Sequence, residues 1–332
     1  MQVITGRVWE VGMKFNLDNK ELVASRDGYG KGLVVLGKNK NVVALCCDLT
    51  ESTRVEWFKQ KYPKQFIEVG VAEQNMAGLA AGLALVGKIP FISSYAVFSP
   101  GRNWDQLRVS VCYNNLNVKI QGAHAGISVG PDGATHQALE DIALMRVLPN
   151  MTVVVPADAV QAEKATIASV NIKGPVYLRF GRDKVHVITD YKTPFTIGKA
   201  DVYREGDDVC IIACGRMVYE ALVAAESLAK QGIDAMVINC HTIKPLDEKT
   251  IISAARKTGG IVTAEEHQIN GGLGGAISEL LGENYPVHIE RVGIRDTFGE
   301  SGDPDKLLEK YQCTNVNISE AVKRVMGRKK HG

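Results

Sequence analysis

Short runs of β-branched and other apolar residues alternate with longer segments of helical periodicity over the first half of the chain. We predict strands at Asn41–Cys47, Gln65–Val69, Ile89–Ser93, Asn117–Gln121, Thr152–Val155 and Val176–Phe180. The helical segments between them include Ala72–Val86, Trp104–Tyr113, His136–Met145 and Ala159–Val170. Strict alternation of strand and helix indicates βαβ units and a parallel sheet. Strands that are apolar throughout are typical of a sheet covered by helices on both faces.

The alternation breaks once, between Asp183 and Gly206, where polar residues mix with proline and glycine. It then resumes with strands at Val209–Ala213, Ala235–Asn239, Gly260–Ala264 and Val287–Arg291, and with helices near Val218–Gln231, Asp247–Thr258 and Leu273–Leu281. We therefore predict an α/β protein of two doubly wound domains. Residues 1–190 form a parallel-sheet domain, residues 191–332 form a smaller α/β domain with a mixed sheet, and a linker lies at about residues 185–200.

Charge and hydropathy exclude several classes of protein. The 332 residues carry 39 Lys and Arg against 37 Asp and Glu, a net charge of +2. This balance excludes a strongly basic nucleic-acid binder and a polybasic membrane-surface protein. The longest mostly apolar stretch, Ala77 to Gly87, falls short of the ~20 residues that cross a membrane. The N-terminus has no secretory pattern, so we expect a cytoplasmic protein.

Seven cysteines are spread over the chain, and Cys46 and Cys47 are adjacent. The odd count and the lack of Cys-x-x-Cys spacing indicate neither a disulfide framework nor a zinc site. We expect the cysteines to be small buried apolar residues.

Two segments that follow predicted strands could line a site. A sharp turn at Gly70 would place Glu73 in the first turn of the next helix, at the carboxyl edge of the sheet, where ligands bind in open α/β folds. The alternative is a glutamate that interacts only with the helix dipole. After the strand at Ile89, Tyr95 and Phe98 could line a pocket for a flat heterocycle or could belong to the core.

The segment from His124 to Gln137 holds two histidines, one aspartate, three glycines and a proline between a strand and a helix. Loops of this kind often carry function. His124, Asp132 and His136 lack a fourth ligand at a familiar zinc spacing, so hydrogen bonding to a hydroxylated substrate fits them better and we expect no metal site. Candidate binders of a phosphate or another oxyanion are the arginines at strand ends, Arg26, Arg179 and Arg182.

Several segments closely resemble the C-terminal half of transketolase, in order along the chain: Val71-Ala72-Glu73-Gln74-Asn75-Met76, Gly133-Ala134-Thr135-His136-Gln137, Leu139-Glu140-Asp141 and Thr242-Ile243-Lys244-Pro245-Leu246-Asp247. The resemblance implies a pyrimidine-binding domain followed by the C-terminal domain of thiamine-diphosphate enzymes. The Gly-Asp-Gly signature of the domain that holds the diphosphate through Mg²⁺ does not occur in the sequence. The chain thus resembles the C-terminal subunit of a split transketolase, whose N-terminal subunit is a separate polypeptide that holds the Mg²⁺.

The resemblance also implies roles for individual residues. Glu73 matches the glutamate that bonds the pyrimidine N1′ and favours the tautomer whose N4′ takes the proton from thiazolium C2. Tyr95 and Phe98 match the aromatic residues that pack on the pyrimidine, and Gly101 and Arg102 are the candidates for a third pocket residue. The residues that match substrate contacts are His136 near the donor C1 hydroxyl and carbonyl, Asp132 at the C2 hydroxyl of the acceptor, and Arg26, Ser52, His124 and Arg182 at the distal phosphate.

The implied reaction is ketol transfer from a ketose phosphate such as xylulose 5-phosphate to an aldose phosphate such as ribose 5-phosphate, in the pentose phosphate pathway. The implied assembly is a dimer of these chains flanked by two partner chains, a heterotetramer. The alternatives are a 1-deoxyxylulose-5-phosphate synthase-like subunit, a 2-oxo acid dehydrogenase β-type subunit, a transketolase for sulfonated or branched sugars, and a homologue without catalysis.

Overall fold

The computed structural model describes residues 15, 17 and 19–329, and these residues form three sheets. The strands, numbered in chain order, are β1 (Leu22–Ala24), β2 (Val42–Cys46), β3 (Phe66–Glu68), β4 (Ile89–Tyr95), β5 (Lys119–Ala123), β6 (Thr152–Val154), β7 (Val176–Arg179), β8 (Lys184–His186), β9 (Asp201–Arg204), β10 (Val209–Ala213), β11 (Ala235–Asn239), β12 (Thr242–Lys244), β13 (Gly260–Gln268) and β14 (His288–Ile294).

The helices cover the faces of the two larger sheets. They are α1 (Ser25–Leu36), α2 (Thr50–Thr53), α3 (Val55–Lys61), α4 (Glu73–Leu85), α5 (Trp104–Gln106), α6 (Asp141–Arg146), α7 (Ala159–Ser169), α8 (Met217–Ala229), α9 (Glu248–Thr258), α10 (Leu273–Asn284), α11 (Pro304–Lys310) and α12 (Asn315–Lys329). A π-helical segment, Leu107–Cys112, continues α5, and 3-10 turns occur at Pro63–Gln65 and Ile127–Asp132.

The larger sheet has seven strands in the order β12-β6-β7-β5-β4-β2-β3. Every neighbouring pair is parallel except β12 with β6. The second sheet has five strands in the order β14-β13-β10-β11-β9, and β9 is its antiparallel member. The prediction of an α/β protein with a parallel-dominated sheet and a smaller mixed sheet is confirmed.

The second half of the chain is tied to the first by more than the connecting segment. Strand β12 follows β11 in sequence but joins the edge of the larger sheet. Arg179 at the end of β7 donates to both carboxylate oxygens of Asp141, at 2.8 and 3.1 Å, and to the carbonyl of Glu266 at 2.9 Å. Burial opposes ionisation of Asp141, yet the guanidinium of Arg179 lowers the pKa of this carboxyl below its usual value. Arg179 is therefore a structural residue at the junction rather than a binder of substrate anions.

Several predicted elements need correction. The helix predicted at His136–Met145 begins only at Asp141, because His136 donates its backbone N–H to the carbonyl of Gly133 in a turn. The strand predicted at Asn117–Gln121 lies two residues later, as β5. Helix α1 was not predicted, although it packs closely along α7.

The seven cysteines, all within the described residues, are free and buried, which confirms that they are packing residues. Gly271 and Gly272 lie in a tight turn that opens α10. Gly271 has a φ of +77°, and the carboxylate of Glu265 accepts the backbone N–H groups of Leu273 and Gly274 at 2.7 and 2.8 Å. A side-chain carboxylate thus occupies the anion position at the N-terminus of α10.

Candidate functional site

The candidate site residues gather at the carboxyl edge of the larger sheet, because the parallel strands β2, β4, β5 and β7 all end there. Tyr95 ends β4 and pairs in register with Ala123, the last residue of β5. His124, the next residue, therefore lies beside Tyr95, and their ring centroids are 4.0 Å apart. Gly70, after β3, has a φ of +71° and turns the chain so that Glu73 begins α4.

Glu73 is a buried carboxylate with a defined set of partners. Its side chain is 1% exposed. The hydroxyl of Ser94 donates to Oε1 at 3.3 Å, and Arg102 Nη1 donates to Oε2 at 2.8 Å. The side-chain amide of Asn103 donates to the backbone carbonyl of Glu73 at 3.2 Å. These contacts fix Glu73 at the start of α4 and give its carboxylate partners other than the helix dipole.

Three aromatic rings lie together near Glu73, and Arg102 links them to its carboxylate, since Arg102 contacts both Glu73 and the Phe98 ring. Phe98 lies nearly parallel to Tyr95, with a centroid separation of 6.2 Å. The ring of His136 meets Phe98 edge-on at 5.6 Å and Tyr95 at 6.1 Å. The hydroxyl of Thr135 lies 2.8 Å from His136 Nδ1 and fixes the orientation of the ring. The arrangement brings Tyr95, Phe98 and His136 together as the sequence predicts.

Three arginines and a histidine form a cluster next to these rings: Arg26, Arg54, Arg182 and His124. Arg26 Nη1 donates to the carbonyl of Ser52 at 2.9 Å and to His124 Nε2 at 3.1 Å. Because an arginine only donates, Nε2 of His124 is an acceptor and Nδ1 carries the hydrogen. Burial, reinforced by the nearby arginines, lowers the pKa of His124 to about 3. His124 is therefore neutral at physiological pH.

Two polar atoms of this cluster are buried without a hydrogen-bond partner, His124 Nδ1 and Arg26 Nε. Buried donors without a partner cost stability, and His124 also has a positive φ of 55°. Strained backbone and unpaired donors at one place are typical of a binding site. These donors favour an anionic ligand.

Two carboxylates offset part of the positive charge of the cluster. Arg182 lies 3.6 Å from Asp132 and donates to the carbonyl of Val129 at 2.9 Å. Arg54 pairs with Asp27 at 2.6 Å. Arg26 has no carboxylate partner within the described part of the chain. The cluster therefore presents about one net positive charge to a ligand.

The loop that carries Asp132 and His136 is held in place by the second domain. Glu266 accepts the backbone N–H of Ser128 at 2.6 Å, and Gln137 donates to the carbonyl of Glu300 at 2.9 Å. The sequence did not indicate the contacts of Glu266 and Gln137, because each joins segments that are distant in sequence. It did not indicate Ser94 and Thr135 either, because each contacts another side chain of the site rather than belonging to a motif of its own. Of the two candidates for a third pocket residue, Arg102 contacts Glu73, whereas Gly101 packs against the carbonyl of Val97.

Family models match both halves of the chain. The pyrimidine-binding domain of transketolase matches residues 22–187, and the transketolase C-terminal domain matches residues 198–318. The chain belongs to the transketolase family. It corresponds to the C-terminal section of a split transketolase, and its enzyme class is transferase.

Two relatives and one solved structure match this transketolase chain over almost their whole length. A 6-deoxy-6-sulfo-D-fructose transketolase subunit of Clostridium sp. (strain MSTE9) is 48% identical over 88% of this chain and 91% of its own length. A putative transketolase C-terminal section of Methanocaldococcus jannaschii is 44% identical over 91% of this chain and 96% of its own. A solved structure titled "Split gene transketolase, inactive beta4 tetramer" superposes with a TM-score of 0.86 at 47% identity, covering 92% of this chain and 99% of that one.

The residues at the site fit the pyrimidine half of thiamine diphosphate. Glu73 offers a buried carboxylate to a ring nitrogen, and Phe98 offers an aromatic face beside it. Among the described residues, no group of three or more His, Cys, Asp or Glu side chains could hold a metal ion. No helix of the described part is long and apolar enough to cross a membrane.

Proposed function

We propose that this chain supplies the pyrimidine and sugar-binding half of a transketolase, which transfers a two-carbon ketol unit from an anionic ketose to an aldose phosphate. The observation that carries the proposal is the position of Glu73, buried beside Phe98 and adjacent to an arginine and histidine cluster at the same sheet edge. We propose residues 1–190 as the pyrimidine-binding domain and residues 191–332 as the C-terminal domain.

Bound thiamine diphosphate supplies the nucleophilic carbon for the ketol unit, and this chain supplies orientation and proton handling. Glu73 holds a proton between its carboxyl group and the pyrimidine N1′. Tyr95 and Phe98 pack on the ring and exclude water from it. We assign the diphosphate and its Mg²⁺ to a partner chain, which the likeness to subunits of split transketolases supports.

The sugar-binding residues divide into two groups. His136 Nε2 faces the donor hydroxyl and carbonyl, with Thr135 fixing the ring through Nδ1, and Asp132 accepts the C2 hydroxyl of the acceptor. The terminal anion contacts the side chains or backbone of Arg26, Ser52, His124 and Arg182. We propose that these contacts are equally strong in the bound substrate and in the transition state, so that they contribute to KM more than to kcat.

We propose that the donor is a sulfonated ketose, such as 6-deoxy-6-sulfofructose, rather than xylulose 5-phosphate. A sulfonate carries one negative charge, whereas a phosphate monoester carries about 1.5 to 2 at pH 7. The net charge of about +1 that three arginines and their partners Asp132 and Asp27 leave in the cluster is compatible with a sulfonate. The relative that is 48% identical is named as a 6-deoxy-6-sulfo-D-fructose transketolase subunit, which also favours a sulfonated donor over a donor of the pentose phosphate pathway.

We propose that this chain pairs with a second copy of itself and with a separate N-terminal subunit, in a heterotetramer. Helix α4 carries no charged residue after Glu73, yet it exposes Leu79 and Leu85, and the flanking Val71 and Val86 are exposed too. An exposed apolar face of this kind is typical of a subunit interface. The similar solved structure is named as a β4 tetramer, which supports self-association of chains of this kind.

The function is tested with the complex of this chain and a diphosphate-binding partner chain, supplied with thiamine diphosphate and Mg²⁺. Initial rates are measured with 6-deoxy-6-sulfofructose, fructose 6-phosphate, xylulose 5-phosphate and uncharged fructose as donors. We expect the highest kcat/KM for the sulfonated donor and the lowest for fructose. A higher kcat/KM for xylulose 5-phosphate would establish the pentose phosphate reaction instead. Ketol transfer from none of the four would overturn the proposed function.

A further inference from the structure

Arg102 takes both of the surfaces that a bound pyrimidine requires. Its Nη1 donates to Glu73 Oε2 at 2.8 Å, and its guanidinium carbon lies 4.6 Å from the centre of the Phe98 ring. A guanidinium is a planar cation that stacks on aromatic rings and donates to carboxylates. An aminopyrimidine is also planar and would need the same oxygen and the same ring face. The two groups cannot use both surfaces at once.

The conformation of the backbone before Arg102 places its side chain against Glu73 and the Phe98 ring. The N–H of Arg102 donates to the carbonyl of Phe98 at 2.9 Å, so Arg102 lies one turn after the ring that it covers. The turn requires glycine at position 101, since a Cβ there would lie 2.0 Å from the carbonyl oxygen of Val97. Asn103 then bonds the backbone carbonyl of Glu73. The contact is therefore built into the segment that also carries Phe98.

The contact can be broken at modest cost, and it gives Glu73 a partner while the cofactor is absent. The side chain of Arg102 is 46% exposed, whereas that of Glu73 is 1% exposed. Water can replace the partners of a half-exposed guanidinium, but not those of a buried carboxylate. When Arg102 leaves, Glu73 keeps the Ser94 hydroxyl on Oε1, and Oε2 becomes free to share a proton with the pyrimidine N1′.

We propose that Arg102 is a placeholder, which occupies the pyrimidine position in the cofactor-free enzyme and leaves when thiamine diphosphate binds. This proposal rests on the proposed function. It gives Arg102 a role opposite to that of a residue that attracts the cofactor. Because the cofactor binds only molecules whose Arg102 is displaced, the apparent Kd equals the intrinsic Kd divided by the displaced fraction.

The test is the Kd of thiamine diphosphate for the complex with the partner chain, measured by calorimetry with Mg²⁺ and without sugar. Together, the ion pair of the half-exposed Arg102 and its cation–π contact hold the side chain in place in most molecules. We expect Arg102 to be displaced in about a tenth of them. We therefore expect Arg102→Met to lower the Kd about tenfold, or about 1.4 kcal/mol. The control is Arg256→Met, which removes an arginine over Tyr285 in the other domain and should leave the Kd unchanged.

A double-mutant cycle shows whether the gain acts through Glu73. In the Glu73→Gln background the placeholder has lost its ionic partner, so Arg102→Met should change the Kd less than threefold, against about tenfold in the native background. An unchanged or higher Kd for Arg102→Met in the native background would overturn the placeholder. Failure of the native complex and of every variant to bind thiamine diphosphate would overturn the proposed function as well.

Discussion

Replacement of Arg182 by alanine tests the anion site directly. Arg182 is 36% exposed, lies 3.6 Å from Asp132 and donates to the carbonyl of Val129. A charge-assisted hydrogen bond to a ligand contributes about 1.5–3 kcal/mol, and its partial exposure places Arg182 at the lower end. About 1.5 kcal/mol corresponds to a roughly 13-fold rise in KM for an anionic donor. Because we assign this contact equal strength in the bound substrate and in the transition state, kcat should change less than about twofold.

Initial rates of ketol transfer in the complex with the partner chain separate these effects. In Arg182→Ala the KM for uncharged fructose should not change. The control Arg256→Ala removes an equal charge from the other domain and should leave the KM for both donors unchanged. Thermal unfolding of each variant checks that loss of the Val129 contact does not unfold the loop. An unchanged KM for the anionic donor, or a fall in kcat at constant KM, would refute the placement of Arg182 at the anion.

Two further predictions concern proton handling and stability. Glu73→Gln should slow hydrogen–deuterium exchange at thiazolium C2 in the assembled enzyme by about 10²- to 10⁴-fold, and exchange at the native rate would contradict the role of Glu73. Burial lowers the pKa of Lys119 to about 7, while an unfolded lysine titrates near ~10.4. Between these values the folded state binds fewer protons, so its stability rises with pH. The free energy of unfolding by urea should rise about 2 kcal/mol more from pH 7 to pH 9 in the native chain than in Lys119→Met, and equal slopes would contradict a neutral Lys119.

The sequence was sufficient for the features that depend on local pattern. Apolar runs located the central strands, and Gly70 before Glu73 located the turn that starts α4. The resemblance to transketolase brought together Glu73, Phe98 and His136, which no periodicity could have connected. The sequence did not predict helix α1, because Gly28, Gly30 and Gly32 lower its helix propensity. Gly28 allows α1 to pack closely on α7, since a Cβ at this position would lie 1.9 Å from the carbonyl oxygen of Ala159 in α7.

Features that depend on distant contacts could not be predicted. The non-helical run from His136 to Glu140 is held by Gln137, which reaches the carbonyl of Glu300 across 163 positions of sequence. The lowered pKa of His124 arises from burial and from arginines on other segments. The position of Arg102 against Glu73 depends on how the chain packs after Gly101. Each of these features is tertiary, so neither a motif nor a local propensity specifies it.

The most direct test of the account is reconstitution of ketol transfer from separate chains. The purified chain is assayed with thiamine diphosphate, Mg²⁺ and an anionic ketose, first alone and then with a diphosphate-binding transketolase subunit. We predict a folded but inactive chain alone and activity on addition of the second chain, abolished when this chain carries Glu73→Gln. Robust transfer by the chain alone would contradict the need for a second chain, and full activity of the complex with Glu73→Gln would contradict the claim that this chain supplies the pyrimidine half of the site.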